Sequence, residues 1–229
     1  MEIGNQSKRE YAGLQKRILK KYFQINSTNM QGVVKFNCHW NQSGPVISDE
    51  QYEIINYWRE ILYNMDLIGA YENGVGFGNI SMRIRGGNQF VITGSATGEI
   101  TELEPGHYVK VNSFNIEDNA VQCAGPLKAS SESLTHAAIY SADPGSNAVI
   151  HVHSIELWNE LIYKVPTTNP AMDYGTIGLA KDILRLFKDS DVYEKRIIIM
   201  AGDRAGILTF GNDMDEAVNV LMEYLKKEG

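Results

Sequence analysis

The sequence predicts one α/β domain in which helices cover a mixed sheet. Three observations support this fold class. Helical and strand patterns alternate along most of the chain, and two apolar segments flank a glycine turn in the manner of a hairpin. The composition, 43% hydrophobic and 21% charged, is that of a globular protein, and 229 residues are enough to bury a core.

The first element of this domain is a helix that begins at Ser48. Ser48 and Gln51 form a capping-box pattern, in which each side chain satisfies a free backbone amide of the other. Apolar residues then recur at helical spacing to about residue 66. Two strands, residues 80–85 and 90–93, follow as a hairpin around Gly86-Gly87-Asn88.

The rest of the chain alternates helices and strands. In order, we predict a helix over about 130–140, a strand over 147–153, helices over 154–163 and 178–187, strands over 196–201 and 207–210, and a helix over 213–227. Residues 1–46 lack such regularity. We interpret them as an N-terminal arm, packed on the domain of residues 47–229 or on a neighbouring subunit.

Charge and hydropathy exclude several classes of protein. A formal net charge of −7 without a basic stripe argues against nucleic-acid binding, although a local pocket can still be positive. The sequence contains neither an apolar run of bilayer length nor a secretory signal, so we expect a cytoplasmic protein with no membrane partner. The two cysteines, Cys38 and Cys123, lack the spacing of a metal site.

His151 and His153 are the most informative pair of residues in the sequence. They flank one apolar residue in the β-branched stretch 147–153, and side chains two apart on a strand lie on the same face. Two imidazole nitrogens can therefore reach one metal ion. The alternative is a strand that contains one buried and one terminal histidine without any metal.

Three small-residue segments are candidates for an anion-binding cradle. The turn at Gly78 and Asn79 fails the dinucleotide-binding pattern, because its third glycine comes one position early and no helix follows. It fits better as a turn that exposes backbone amides. The loop at Thr93-Gly94 and the helix start at Ser130-Ser131, which Lys128 precedes closely, suggest phosphate or carboxylate binding, although each can be an ordinary turn or cap.

Glu132 is a candidate acid or base, since it sits in the expected first turn of the 130–140 helix. A carboxylate favoured by the helix dipole is the alternative interpretation. His136 lies on the same helix face and is a less favoured ligand.

Taken in order, these pieces resemble the class II aldolase/adducin family. The resemblance extends over about residues 50–229 and implies a three-layer αβα domain with a largely antiparallel central sheet. The stretches that carry it are Gly78-Asn79-Ile80-Ser81-Met82-Arg83, Ile92-Thr93-Gly94-Ser95, Ser130-Ser131-Glu132 with His136 and Tyr140, Asn147-Ala148-Val149-Ile150-His151-Val152-His153, and Gly206-Ile207-Leu208-Thr209-Phe210-Gly211.

The resemblance also implies roles for residues of this chain. Substrate phosphate binding falls to Gly78, Asn79, Thr93, Gly94, Ser130 and Ser131. Glu132 is implied as the catalytic acid or base that can also touch the metal, while His151 and His153 are implied as two ligands of a divalent ion, typically zinc. Homotetramers with sites at subunit boundaries are the implied assembly.

One departure from the family pattern concerns the third metal ligand. The family has a histidine just before the Gly-Ile-Leu-Thr-Phe-Gly stretch, and this chain has Asp203 or Ala205 at the two positions that spacing allows. We prefer Asp203, which Gly202 and Gly206 bracket. Aspartate can bind zinc or manganese, but a more loosely bound metal or an absent one is equally compatible with this change.

The implied activity is metal-assisted carbon–carbon cleavage of a phosphorylated ketose, such as a fuculose-phosphate-like sugar. Two alternatives stay open. An epimerase or dehydratase can use the same metal cradle, because one fold supports several chemistries. The second alternative is a non-catalytic protein, either adducin-like or a degenerate relative. The missing histidine favours this alternative, and the retained Glu132, His151 and His153 oppose it.

Overall fold

The computed structural model describes residues 34–84 and 87–226. Its strands are β1 (Asn37–Gln42), β2 (Gly69–Ala70), β3 (Gly76–Phe77), β4 (Asn79–Arg83), β5 (Phe90–Thr93), β6 (Tyr108–Asn115), β7 (Ala120–Gly125), β8 (Ala148–His153), β9 (Ile197–Ile199) and β10 (Gly206–Gly211). Its α-helices are α1 (Asp49–Asn64), α2 (Ser133–Ala142), α3 (Ile155–Leu161), α4 (Ile177–Asp189), α5 (Val192–Lys195) and α6 (Met214–Lys226).

The central sheet has eight strands in the order β1-β7-β6-β5-β4-β8-β10-β9. Neighbouring strands run antiparallel except at one edge, where β1 pairs with β7 in parallel. The prediction of a mixed, largely antiparallel sheet is therefore confirmed. The histidine strand β8 lies between β4 and β10, where both of its edges are hydrogen-bonded and its side chains are held in a fixed register.

Helices cover both faces of this sheet, so the three-layer prediction is also confirmed. Because side chains alternate along a strand, Ile92 and Val149 pack with α2 and α4 on one face. Val91 and Ile150 point the other way and pack with α1 and α6. Asn79, Ser81 and His151 share the face of α2 and α4, which places the polar residues of the site beneath those helices.

The helix start and the first hairpin agree with the sequence-based prediction. The Ser48 hydroxyl accepts from the Gln51 amide at 3.3 Å, and the Gln51 side chain accepts from the Ser48 amide at 3.2 Å. Strands β4 and β5 pair in antiparallel register, although β4 ends at Arg83 and part of the predicted glycine tip falls outside the described residues. Both elements follow local rules that need no tertiary context.

The hairpin of β6 and β7 was not predicted. Its signal is weak, because Val109 and Val111 alternate with polar residues for only half of β6 before a register shift at Val111/Ser113 interrupts the pattern. Strand β1 also occupies residues assigned to the arm, while residues 1–33 of that arm lie outside the described range. The boundary at residue 46 stays a prediction.

No helix within residues 34–84 and 87–226 is both long enough and apolar enough to cross a bilayer.

Candidate metal centre and anion cradle

The two histidines of β8 converge on one aspartate. His151 Nε2 lies 3.6 Å, and His153 Nε2 lies 3.4 Å, from Asp203 Oδ2. His151 and Asp203 are buried, and one donor atom from each of the three residues lies within 4.8 Å of the others. His151 is opposite Asn79 and Leu208 in the sheet, so the strand register itself positions its ring.

This donor set fits a divalent cation. Two ligands at zinc–nitrogen or zinc–oxygen distances in a tetrahedral site are about 3.4 Å apart, close to the separations from Asp203 Oδ2. His151 Nε2 is buried and has no hydrogen-bond partner among the described residues. A buried polar atom without a partner is costly, and a bound cation would satisfy it. Asp203, His151 and His153 can therefore hold a metal ion.

Neighbouring side chains contact the Nδ1 atoms of both histidine rings and so orient the rings. The Tyr71 hydroxyl lies 2.6 Å from His153 Nδ1, and the Phe77 ring stacks on His153 with centroids 5.3 Å apart. The Asn79 amide lies 3.4 Å from His151 Nδ1. The Asn79 side-chain oxygen has no hydrogen-bond partner among the described residues. If the amide is turned by 180°, this oxygen accepts from Nδ1–H of His151, and the lone pair of Nε2 is then free to bind a metal. Sequence reasoning missed Tyr71 and Phe77, since nothing in their local pattern indicates a histidine partner.

The protonation states of His151 and Asp203 also suit metal binding. Burial, followed by the neighbouring charge of His153, lowers the pKa of His151 to about 3, so its ring is neutral near pH 7. Burial opposes ionisation of Asp203, but the charge and hydrogen bond of His153, together with His151 and Lys35, outweigh it and lower the pKa. Neutral imidazoles and an ionised carboxylate are the ligand forms that a cation requires.

Glu132 is a buried carboxylate at the same site. Its side chain is only 2% exposed, and both oxygens lack a hydrogen-bond partner within the described ranges. Burial is the main reason that its pKa rises to about 8. The negative charge of Asp203 raises the pKa further, and the nearby Thr135 side chain and Gly175 backbone offset only part of the rise. The prediction that Glu132 lies in the first turn of the helix was wrong by one residue. Helix α2 begins at Ser133, and Glu132 is the residue that precedes it.

The predicted anion-binding segments come together in two places. At Gly78, a left-handed φ of +74° and contacts with Ile68 and the His151 backbone leave no room for a side chain. The next residue, Asn79, is opposite His151 in the sheet. Farther along the sheet, Gly94 and Ala129 form an isolated antiparallel β-bridge, and the Ser95 amide donates to Lys128 O at 2.9 Å. The last contact brings the Thr93-Gly94 loop next to Ser130-Ser131.

The hydroxyl groups of these segments differ in the hydrogen bonds that they make. Thr93 Oγ1 is buried with no partner among the described residues. Ser130 Oγ accepts from the Glu132 amide at 3.3 Å, a local turn contact just before α2. Sequence reasoning missed Ser81, whose hydroxyl is 2.7 Å from His136 Nδ1 and 2.8 Å from the Tyr140 hydroxyl. The spacing of Asn79 and Ser81 on one strand could have found it.

Comparison with known proteins shows the family of this chain. The model of the Class II Aldolase and Adducin N-terminal domain matches residues 70–227, most of the chain. This chain belongs to the class II aldolase and adducin family. No curated protein matches it in sequence. The family match begins just before Tyr71 and includes His151, His153, Asp203 and Glu132, but not Lys35.

Solved structures of class II aldolases share the fold. An L-fuculose 1-phosphate aldolase has 20% identity and a TM-score of 0.60, covering 81% of this chain and 85% of its own. The L-fuculose-1-phosphate aldolase of Thermus thermophilus has 22% identity, a TM-score of 0.51 and coverage of 76% and 85%. YgbL of Escherichia coli, a candidate aldolase, epimerase or decarboxylase, has 19% identity and a TM-score of 0.55, and the match covers 74% of this chain and 82% of its own. At these identities the likeness shows the fold.

Proposed function

We propose that this class II aldolase-family chain is a divalent-metal-dependent aldolase that cleaves a phosphorylated ketose, such as a fuculose-phosphate-like sugar. One observation carries the proposal. A candidate metal-ligand set of two histidines and an aspartate is buried together with Glu132, whose carboxyl group has no hydrogen-bond partner among the described residues and a pKa of about 8. A scaffold has no need for a buried carboxyl group beside such a set.

The ligand residues define where the reacting carbonyl would bind. His151, His153 and Asp203 would hold the ion, and Glu132 could approach it as a further ligand. A divalent cation bound there would polarise the ketose carbonyl and stabilise the negative charge that develops on its oxygen. We propose zinc, because two imidazoles and a carboxylate form a common zinc set, with manganese as the alternative.

Glu132 would move the proton. Aldol cleavage breaks the bond between the carbon next to the carbonyl and the carbon that bears a hydroxyl group, and that hydroxyl loses its proton as the aldehyde forms. The carbon next to the carbonyl then receives a proton. A carboxyl group with a pKa of about 8 can both accept and donate near neutral pH, which suits this exchange.

The small-residue segments would bind the phosphate group. We propose Gly78, Asn79, Thr93, Gly94, Ser130 and Ser131 for this role. Backbone amides and hydroxyl groups at such turns bind an anion without a neighbouring lysine or arginine. The contact of the Thr93-Gly94 loop with the segment before Ser130 supports this assignment. A homotetramer and a cytoplasmic location complete the proposal and rest on the family resemblance and the sequence.

The first experiment measures metal content and product together. The purified full chain is analysed for bound metal and then assayed with several ketose phosphates, with release of a triose phosphate or aldehyde followed separately from isomer formation. We expect metal-dependent cleavage. Conversion to an isomer without cleavage would instead indicate an epimerase, and loss of water would indicate a dehydratase.

Two variants test the assigned residues. Asp203→Ala should lose most of the bound metal, whereas unchanged metal content would remove Asp203 as a ligand. Glu132→Gln should lower turnover by about 100-fold or more, as general acid–base groups commonly do. Glu53→Gln, an exposed carboxylate on α1, is the matched control and should keep full activity. Failure of the parent protein to bind any divalent metal would favour the non-catalytic alternative.

A further inference from the structure

Lys35 contacts a loop beside the candidate metal centre and lies outside the region that the family model matches. It precedes β1, whereas the match begins at residue 70. Its ammonium nitrogen donates to Tyr174 O at 3.1 Å and lies 3.6 Å from the centroid of the Tyr174 ring. Its own carbonyl accepts from the Asn119 side chain at 3.0 Å. Both ends of Lys35 are therefore fixed, and its charge is tied to one segment of the loop before α4.

That segment, residues 170–175, lies against both acidic groups of the site. A methyl group added at Gly202, next to Asp203, would overlap the backbone of Met172. A methyl group added at Gly175 would meet Ser131 O at 2.8 Å and Glu132 Oε1 at 3.4 Å. The 170–175 segment thus packs beside Asp203 at one end and beside Glu132 at the other, and Lys35 holds its Tyr174 carbonyl.

The charge of Lys35 also acts on these carboxylates. Its positive charge attracts the carboxylates of both Glu132 and Asp203. Asp203 stands where the family resemblance leads us to expect a neutral histidine, which adds one negative charge to the site. A lysine brought in by the N-terminal part of the chain offsets that added charge.

We propose that Lys35 is a positioning residue that fastens the 170–175 segment over Glu132 and Asp203 and supplies the compensating charge of this modified metal centre. The ligand set itself does not depend on this contact. Asp203 is held by its own turn, in which its amide donates to Met200 O and its carbonyl accepts from the Gly206 amide. Removing Lys35 should therefore loosen the segment without dismantling the ligands.

The decisive test is hydrogen–deuterium exchange of metal-free protein. Lys35→Met keeps the length of the side chain and its contact with the Tyr174 ring but removes the charge and the donor. We expect amides of the 170–175 segment to exchange at least several-fold faster in this variant, with exchange in the sheet unchanged. Lys181→Met, which removes an exposed lysine paired with Glu117, is the control and should leave the segment as in the parent. If Lys35→Met does not fold, Lys35→Gln replaces it.

A titration with Co²⁺ alone, followed by absorption, separates charge from packing. Loss of a positive charge near the ligands should tighten Co²⁺ binding by about threefold to tenfold in Lys35→Met, and Lys35→Arg should restore the parent affinity. Unchanged exchange of the 170–175 segment would overturn the proposal, as would equal Co²⁺ affinities of the Met and Arg variants. The idea rests on the proposed function only through the metal ligands. Because neither measurement needs turnover, absence of aldol cleavage would contradict that function alone.

Discussion

Glu132→Gln should stabilise the metal-free protein at alkaline pH. The parent holds its Glu132 proton up to a pKa of about 8, whereas the unfolded chain releases it near the ordinary value of 4.5. Between these values the folded state binds more protons than the unfolded state, so the free energy of unfolding falls as pH rises. The penalty is absent below pH 4.5 and complete above about pH 8. Glutamine does not ionise and avoids it.

The size of this effect follows from the same shift. A difference of about 3.5 pKa units, at roughly 1.4 kcal/mol each, gives about 5 kcal/mol as an upper limit. Relaxation and water entry around the charged carboxylate reduce the penalty, so we expect Glu132→Gln to gain on the order of 2–5 kcal/mol at pH 9. Near pH 4.5, where parent and variant are both largely neutral at this position, the two should agree within about 1 kcal/mol.

The assay is chemical denaturation in the presence of a chelator, followed by circular dichroism at pH 5 and pH 9. Parent, Glu132→Gln and the Glu53→Gln control are compared at one protein concentration, so that subunit association does not alter the difference. Titrations of other groups cancel between parent and variant. The argument that burial opposes the ionisation of Glu132 would be refuted by either of two results. One is a stability difference that is the same at both pH values, and the other is a variant that is less stable than the parent at pH 9. Saturating Zn²⁺ should shrink the gain, because a nearby cation favours the carboxylate.

Three further predictions concern a partner of a candidate ligand, a close backbone contact and a partly buried thiol. Tyr71→Phe removes the hydroxyl bonded to the second ligand histidine and should weaken metal binding by about tenfold or more in a chelator competition. Gly98→Ala places a methyl group against Gly69 O and should cost about 1–3 kcal/mol in urea unfolding, whereas Gly44→Ala, with open space around it, should cost little. Burial raises the pKa of the Cys38 thiol to about 11, so its alkylation rate, measured by mass spectrometry, should rise roughly 100-fold from pH 7 to pH 9.

Local rules predicted the parts of the site that one element contains. His151 and His153 share a face because a strand alternates with a period of two, and this needs no knowledge of neighbouring strands. The capping box at Ser48 is equally local and formed as predicted. The order of glycine, serine and histidine motifs also sufficed for the family, because each motif falls on one turn or one strand.

Contacts between distant segments could not be read in this way. Lys35 and Tyr174 lie 139 positions apart, and Tyr71 and His153 lie 82 apart. No spacing rule links such residues, because their approach depends on which strands become neighbours. The same reason explains the edge strand β1: its pairing with β7 requires the β6–β7 hairpin, which the sequence pattern did not reveal.

The choice between Asp203 and Ala205 as the third-ligand position follows from the turn that precedes β10. Gly206 is opposite His153 in the sheet, and its amide donates to Asp203 O at 2.8 Å, which closes a tight turn and directs the Asp203 carboxylate at the histidines. Ala205 has a left-handed φ of +79° and a methyl side chain that cannot bind a metal. A methyl group at Gly206 would lie 3.0 Å from Asp203 Oδ2, so glycine leaves room at the donor atom. The turn therefore directs the side chain at position 203 towards the two histidines, and an aspartate there would change the charge of the proposed metal centre while the strand register keeps its geometry.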